Sequence, residues 1–421
     1  MRLPVLLAIL LALPFSFALI VENTGMQGGR PVLYGEIIVY ERDGFVHVYD
    51  LNRKENAELA RGTSPFIFGF TVVFETVEAD ADLNGDGDTD DTVIQYANVR
   101  DKNVVSTNAV GRHPSVFADV IIFSTKESEL GIDFTNDGDE EDDIVRLYDI
   151  KAKELINTKA AGDYPALNQK FAVFTTEEGK VGVDLNADGD VVDRVLRIYN
   201  REDRGVTNVP VVASRPLLSK DNNAVFVSDG MVKILDARSA KVYDTGQEGS
   251  SPSISGDVVL FTRNGYLYGW NLESKSVGKM EVVAEEVSVF ENRAAFSSPE
   301  KNIGDLNGDK DMDDLVIRFA TSEDVDGDDV VDFLDNCESV INEDQEDSDR
   351  DGVGDACEKP EKKKAALSEP EQTATSQNVS EVPVERQGIP WYWYVVVVVL
   401  LPFVLYYGYK YYKKRQKSFG F

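Results

Sequence analysis

The chain has 421 residues, with 75 Asp and Glu against 43 Lys and Arg and a formal net charge of −32. That length suffices for two or three domains. The acid surplus excludes nucleic acid as a partner, because phosphate binding needs a basic face, and it favours cations wherever the acids cluster.

At the N-terminus, Arg2 precedes the apolar run VLLAILLALPF and then Ser16-Phe17-Ala18. A short basic start, an apolar core and a small-x-small site read as a signal peptide over residues 1–18, with an uncleaved anchor as the alternative.

From residue 19 to 320 one pattern recurs seven times: a small or polar residue, Pro, a short apolar strand, a turn, and an apolar run ending in an aromatic. The anchors are Pro31, Pro65, Pro114, Pro165, Pro216, Pro252 and, in the last copy, Val287. Their intervals are 34, 49, 51, 51, 36 and 35 residues, so the basic unit of about 35 is lengthened by about 15 in the three longer ones. Each unit reads as four short strands, as PVLYG, EIIVYE, FVHVYDL and ENAELA do in the first. Seven such units predict an all-β fold, a seven-bladed β-propeller. The last unit ends after its third strand, near Ala320, and its missing outer strand is expected from residues 19–23, which would remove the open edge of the ring.

Each longer unit, and the seventh, carries an acidic loop between its second and third strands. Oxygen side chains recur at positions 1, 3, 5, 7 and 10. They are Asp82, Asn84, Asp86, Asp88 and Asp91; Asp133, Thr135, Asp137, Asp139 and Asp142; Asp184, Asn186, Asp188, Asp190 and Asp193; and Asp305, Asn307, Asp309, Asp311 and Asp314. Short oxygen ligands alternating through a tight turn suit a hard cation, Ca²⁺ above all, since Mg²⁺ seldom takes an all-protein cage. In an up-and-down blade this turn shares a face with the connection to the next blade, so the four loops should rim one face. Four positions after the aromatic of strand two, loop-free units have Gly44, Gly230 and Gly265, whereas loop-bearing units have Glu78, Glu127, Glu178 and Glu300. Gly suits a tight hairpin. The Glu either closes the ion site or is a solvated strand-end residue.

The units resemble TolB-type propeller repeats, x-P-x-h-S-x-D-G-x-x-h-h-F-x-S followed by G-x-h-x-h-h-D, and GSSPSISGDVVLFTRNGYLYGWNL from Gly249 is the nearest copy. That resemblance implies fold more than function. The acidic loops are similar to the calcium loops of integrin-type FG-GAP repeats, departing from them in the acid at position 7. Residues 321–358 contain DVDGDDVVDFLDNCESVINEDQEDSDRDGVGDAC, which closely resembles the thrombospondin type 3 repeat. Asp324, Asp326, Asp328, Asp332, Asp335, Asn336 and Cys337 match its first half; Asn342, Asp344, Gln345, Asp347, Asp349, Asp351, Gly352, Gly354, Asp355 and Cys357 match its second, and Asp329 departs from it. The resemblance implies Ca²⁺ wrapped by Asp324, Asp326, Asp328, Asp332, Asp335, Asp347, Asp349, Asp351 and Asp355. In an exported chain the two cysteines, Cys337 and Cys357, also read as a disulfide.

Residues 359–389 shift to Lys, Glu, Pro, Ser, Thr and Gln, the composition of a disordered stalk, with Asn378-Val379-Ser380 as a candidate glycosylation acceptor. Residues 390–409 include nineteen uncharged residues from Trp391 to Tyr409 with aromatics at both edges, the pattern of a transmembrane helix. A basic tail, residues 410–421, follows and places itself in the cytoplasm and the rest outside. The expectation is a calcium-binding, single-pass protein of the cell membrane. Its propeller head would bind or adhere to an extracellular protein or glycan. The alternatives are an extracytoplasmic hydrolase-type enzyme or an envelope or secretion scaffold. Enzymatic activity is not expected: His47 and His113 are the only histidines, and no G-x-S-x-G elbow is present.

Overall fold

A computed structural model describes residues 19–358 other than 80, 329, 333 and 349–352. It contains seven four-stranded antiparallel sheets, the blades of a propeller. Six are contiguous in sequence, over residues 29–61, 63–110, 112–161, 163–212, 214–248 and 250–283. The seventh joins Glu286–Phe290, Arg293–Pro299 and Leu315–Thr321 to an outer strand, β1, formed by Ile20–Gln27. The ring is therefore closed by the N-terminal strand, which runs four residues beyond the segment expected from sequence. β1 pairs with Leu315–Thr321 from Ile20↔Thr321 to Gln27↔Val316, with a bulge between Asn23 and Met26. It is anchored by Leu19 and Val21 in the core between blades six and seven and by Met26 in the core shared with blade one.

The repeat has a packing origin. The aromatic ending each second strand, Tyr40, Phe74, Phe123, Phe174, Phe226, Phe261 or Phe296, is fully buried. The small residue three before the anchor lies flat against that ring. A Cβ on Gly162 would stand 2.2 Å from the Phe174 ring, and one on Gly249 2.4 Å from that of Phe261. Ala213 and Ala284 take this place in blades five and seven, both buried. The same residue donates its N–H to the start of the third strand or the turn before it, as in Gly162 to Asp143 O at 2.6 Å and Gly249 to Gly230 O at 3.0 Å. One small residue thus seats the next blade against the ring of its own second strand. Substituting Gly162→Val is expected to cost at least about 2 kcal/mol through overpacking, measurable by denaturant titration.

Each first strand begins on the face that carries the acidic loops and runs to the opposite face. The chain leaves the ring on that opposite face after Thr321. There Ser322 N–H donates to Asn292 O at 3.0 Å and Asn292 Nδ2 to Ser322 O at 2.8 Å. The following segment touches blade six, where Ser276 Oγ donates to Leu334 O at 3.1 Å. Among the described residues of 322–358 there is no strand or helix. A Cys337–Cys357 disulfide and buried Val330 and Leu334 hold the segment together. No described helix is long and apolar enough to cross a membrane. The expected signal peptide (1–18), stalk (359–389), span (390–409), basic tail (410–421) and acceptor Asn378 all lie outside the described residues.

Candidate metal centres

All four loops sit between the second and third strands of their blades, on one face, and are built alike. The first-position Asp folds the loop onto itself. Oδ1 of Asp82, Asp133, Asp184 and Asp305 accepts the N–H three residues on, at 2.5, 2.5, 2.6 and 2.6 Å. Oδ2 of each accepts the N–H five residues on, at 3.0 to 3.1 Å. One oxygen of Asp86, Asp137, Asp188 and Asp309 accepts the N–H of position 7. One oxygen of Asp88, Asp139, Asp190 and Asp311 accepts that of position 9. These are Asx turns in series, so the alternation read from sequence is also a folding pattern that leaves the second oxygens of positions 5 and 7 outside these bonds.

The Glu at the root of each loop is not a solvated strand-end residue. Glu127, Glu178 and Glu300 are 0% exposed and Glu78 3%. Oε1 of each accepts the N–H groups of loop positions 2 and 3: Leu83 and Asn84, Phe134 and Thr135, Leu185 and Asn186, Leu306 and Asn307. Oε2 of Glu178 accepts Asp193 N–H at 3.2 Å. Oε2 of Glu78, Glu127 and Glu300 is buried with no hydrogen-bond partner. A buried carboxylate oxygen without a donor is costly, and a cation relieves that cost.

Three loops gather their acids around this oxygen. Glu78, Asp88 and Asp91; Glu178, Asp190 and Asp193; and Glu300, Asp309, Asp311 and Asp314 each bring ligand oxygens within 4.8 Å of one another. In these loops the position-3 carboxamide bridges positions 5 and 10, as Asn186 Nδ2 does to Asp188 Oδ2 at 3.0 Å and Asp193 Oδ2 at 2.9 Å. Blade three has Thr135 instead, whose hydroxyl bonds Asp133 Oδ1 at 3.2 Å. Asp142 there is buried, with both oxygens lacking a hydrogen-bond partner. An ion pair from Lys180 Nζ to Asp143 Oδ2 at 2.5 Å ties blade four to blade three, and Arg112 pairs with Glu129 beside the loop of blade three.

Burial, reinforced by the hydrogen-bonded Asp86, pushes the Asp91 carboxyl up to about 6. Burial, with the charges of Asp137, Glu127 and Asp139, does the same to Asp142. A carboxyl whose pKa is higher folded than unfolded favours the fold while protonated. That contribution is complete below about pH 4 and lost as pH rises through about 6. Without metal the head is therefore expected to melt at a higher temperature at about pH 5 than at about pH 7.5. With saturating divalent cation the order should invert, because the ion binds the deprotonated form. Calorimetric scans at both pH values, with and without chelator, check this.

In the disulfide segment, ligand oxygens of Asp324, Asp326 and Asp328 also lie within 4.8 Å of one another. Asp328 and Asp332 are buried, and Asp326 Oδ2 and Asp332 Oδ2 lack hydrogen-bond partners. Asp335 Oδ1 is instead engaged by Cys337 N–H at 2.7 Å and Gln345 Nε2 at 2.8 Å. Asp355 accepts Ser348 N–H at 3.1 Å and its hydroxyl at 2.7 Å. Asp347 is not part of that group of three, and Asp349 and Asp351 lie outside the described residues.

A second polar constellation was not expected. Six residues preceding the anchor prolines, Arg30, Ser64, His113, Tyr164, Arg215 and Ser251, have φ between 34° and 51°. A pre-proline residue favours extended backbone, so these are strained positions, each beside a register shift in its first strand. Carboxylates of the preceding blade hold three of them: Glu286 accepts Arg30 N–H at 2.6 Å, Glu41 Ser64 N–H at 3.1 Å and Glu75 His113 N–H at 2.6 Å. His113 Nδ1 lies 2.6 Å from Asp163 Oδ1 and its ring stacks on Tyr164 at 3.9 Å. Burial pushes the Asp163 carboxyl up, but hydrogen bonds and charge from His113, with Ser124 and Tyr164 N–H, outweigh it and hold it at about 2. In sequence His113 stands only as the residue before a blade-start Pro; its Asp163 partner comes from the next blade, 50 residues on.

No protein-family model matches the sequence, and no curated protein does. Similar solved structures include TolB from Acinetobacter baumannii, 13% identical, with 62% of each chain covered and a TM-score of 0.38. The chain thus spans less than two thirds of that protein's length. Oligogalacturonate lyase from Vibrio parahaemolyticus is 11% identical over 73% of this chain and 97% of the other, with a TM-score of 0.46. An acylaminoacyl peptidase of Pyrococcus horikoshii is 12% identical over 65% and 49%, also with a TM-score of 0.46. Likeness at this level carries no activity across, and the propeller assignment rests on the seven closed sheets themselves.

Proposed function

We propose that this is a calcium-binding protein of the cell surface, whose propeller head presents an ion-ordered face to an extracellular protein or glycan and whose C-terminal segment, of thrombospondin type 3 character, leads to a single membrane span. The observation that carries the metal reading is the buried, donorless Oε2 of Glu78, Glu127 and Glu300, each beneath an acidic loop. The donors around these sites are all oxygens, the set a hard cation selects. Ring topology supports the orientation: the loops lie on the face away from the exit at Thr321, so a tether attached there leaves them outermost.

Calorimetric titration of the head with Ca²⁺ tests the metal. Glu300→Gln keeps the oxygen that accepts the loop amides of Leu306 and Asn307 but removes a charge, and is expected to weaken one class of sites about tenfold, the effect of a lost charge-assisted ligand. Unchanged affinity removes this Glu from the ligand set. Capture of surface proteins or glycans with and without chelator tests the partner role, and chelator-independent capture would overturn the ion-ordered face. The enzymatic alternative draws its support from the Asp163–His113 pair. Ser124 Oγ, however, is itself bonded to Asp163 Oδ1 at 2.6 Å, which leaves it on the wrong side of the imidazole to serve as nucleophile.

A further inference from the structure

At the end of the central channel away from the loops lies a cavity of about 410 Å³. Its two walls differ. Blades seven, one, two and three contribute a continuous arc of aromatic rings: Phe290 to Tyr34 at 4.5 Å, Tyr34 to Phe68 at 4.8 Å and Phe68 to Phe117 at 4.4 Å, all tilted. Blades four to six face it with aliphatic groups, among them Leu167 and Ile254. Three serine hydroxyls of the wall accept backbone N–H groups of the neighbouring blade. Ser288 Oγ accepts Leu33 N–H, Ser253 Oγ accepts Val289 N–H and Ser255 Oγ accepts Glu291 N–H, at 3.0, 3.0 and 2.9 Å. Charge enters at the rim, with exposed Lys220 and Glu291.

We infer that this cavity is a binding site for a small, uncharged, ring-bearing apolar molecule of two or three fused or linked rings. The size follows from the volume, which is nearly three times the roughly 150 Å³ that accommodates a benzene and within the range of small-molecule pockets. It is too small for a helix or a folded domain. The ring character follows from the arc: four aromatic side chains at stacking distance favour a planar apolar guest, each contact being worth about 0.5–1.5 kcal/mol beyond area burial. Water finds few partners in such a wall. This site lies on the face opposite the acidic loops and needs no metal, so it stands or falls separately from the calcium reading.

The test uses the head, residues 19–358, which supplies every strand of the closed ring. N-phenyl-1-naphthylamine, a neutral three-ring fluorophore, is titrated into it, and a saturable rise in emission with one molecule bound per chain is expected, in calcium and in chelator at a temperature where the head remains folded. Phe68→Ala, at the centre of the arc, is expected to weaken binding about tenfold. Phe70→Ala should leave it unchanged, because that ring is 43% exposed and covered by Arg100 at 3.5 Å, outside the cavity. If Phe68→Ala loses its cooperative melt, Phe117→Leu, which removes a ring while keeping an apolar filling, gives the same reading. Absence of saturable binding to the unmodified head, or equal loss with Phe68→Ala and Phe70→Ala, overturns the inference.

Discussion

Chelation of divalent cations is expected to destabilise the whole head, not merely to loosen four surface loops. The loop acids are part of the fold: their root Glu residues are buried, and the loops' own amides hang from them. A site held at one hundred times its dissociation constant contributes about 2.7 kcal/mol to stability, and four such sites about 11 kcal/mol. That is comparable with the whole stability of an ordinary domain. The charge acts in the same direction, since without cations the −32 chain must hold its acids together against their repulsion. Calorimetric melting with and without EDTA should show a fall of about 20 °C or more for a domain of this size, reversed by adding Ca²⁺ back. A shift of only a few degrees would mean that the loops are held by their Asx turns alone.

Removing residues 19–27 is expected to have the second largest effect. β1 supplies the outer strand of blade seven, pairing from Ile20 to Gln27 with Leu315–Thr321. Six paired residues at about 1 kcal/mol for each net hydrogen bond give roughly 6 kcal/mol, before the burial of Val21 and Met26. The truncated chain would also expose an unpaired edge, a template for association. It should therefore lose its cooperative melt and elute as dimers or larger species on size exclusion. The fourth loop should suffer most, because β1 touches it directly: Asn23 Nδ2 donates to Leu306 O at 2.6 Å and Gln27 Nε2 to Asp314. Terbium luminescence would then report one site class lost ahead of the others. Reduction of Cys337–Cys357, by contrast, releases a loop of 20 residues, worth about 3 kcal/mol in the chain-entropy model, and should leave the ring intact.

The architecture was unusually open to reading because a ring of repeats writes the same constraint seven times. The spacing of Pro31, Pro65 and their counterparts, with one buried aromatic per unit, records blade packing that is local in sequence. The special status of Glu78, Glu127, Glu178 and Glu300 was visible only because loop-free units offered Gly44, Gly230 and Gly265 as controls. In those units φ of 77° to 79° makes the hairpin. What sequence did not disclose was non-local. The first-position Asp looked like a ligand of equal standing, but both its oxygens are turned to loop amides. The His113–Asp163 pair, the aromatic arc from Phe290 to Phe117 and the tie from Gln27 to Asp314 each join different blades or opposite ends of the chain. No periodicity within a unit encodes such meetings.

Ring closure also decides how the head would meet a pulling force. The exit at Thr321 is the end of a strand flanked on both sides, by β1 and by Arg293–Pro299. A pull applied along the axis of that strand would load both ladders in shear, so their hydrogen bonds would have to yield together instead of unzipping one by one. A hairpin at the same exit would peel. A tether attached beyond Thr321 would thus draw on a strand held from both sides, a geometry suited to holding under flow or drag.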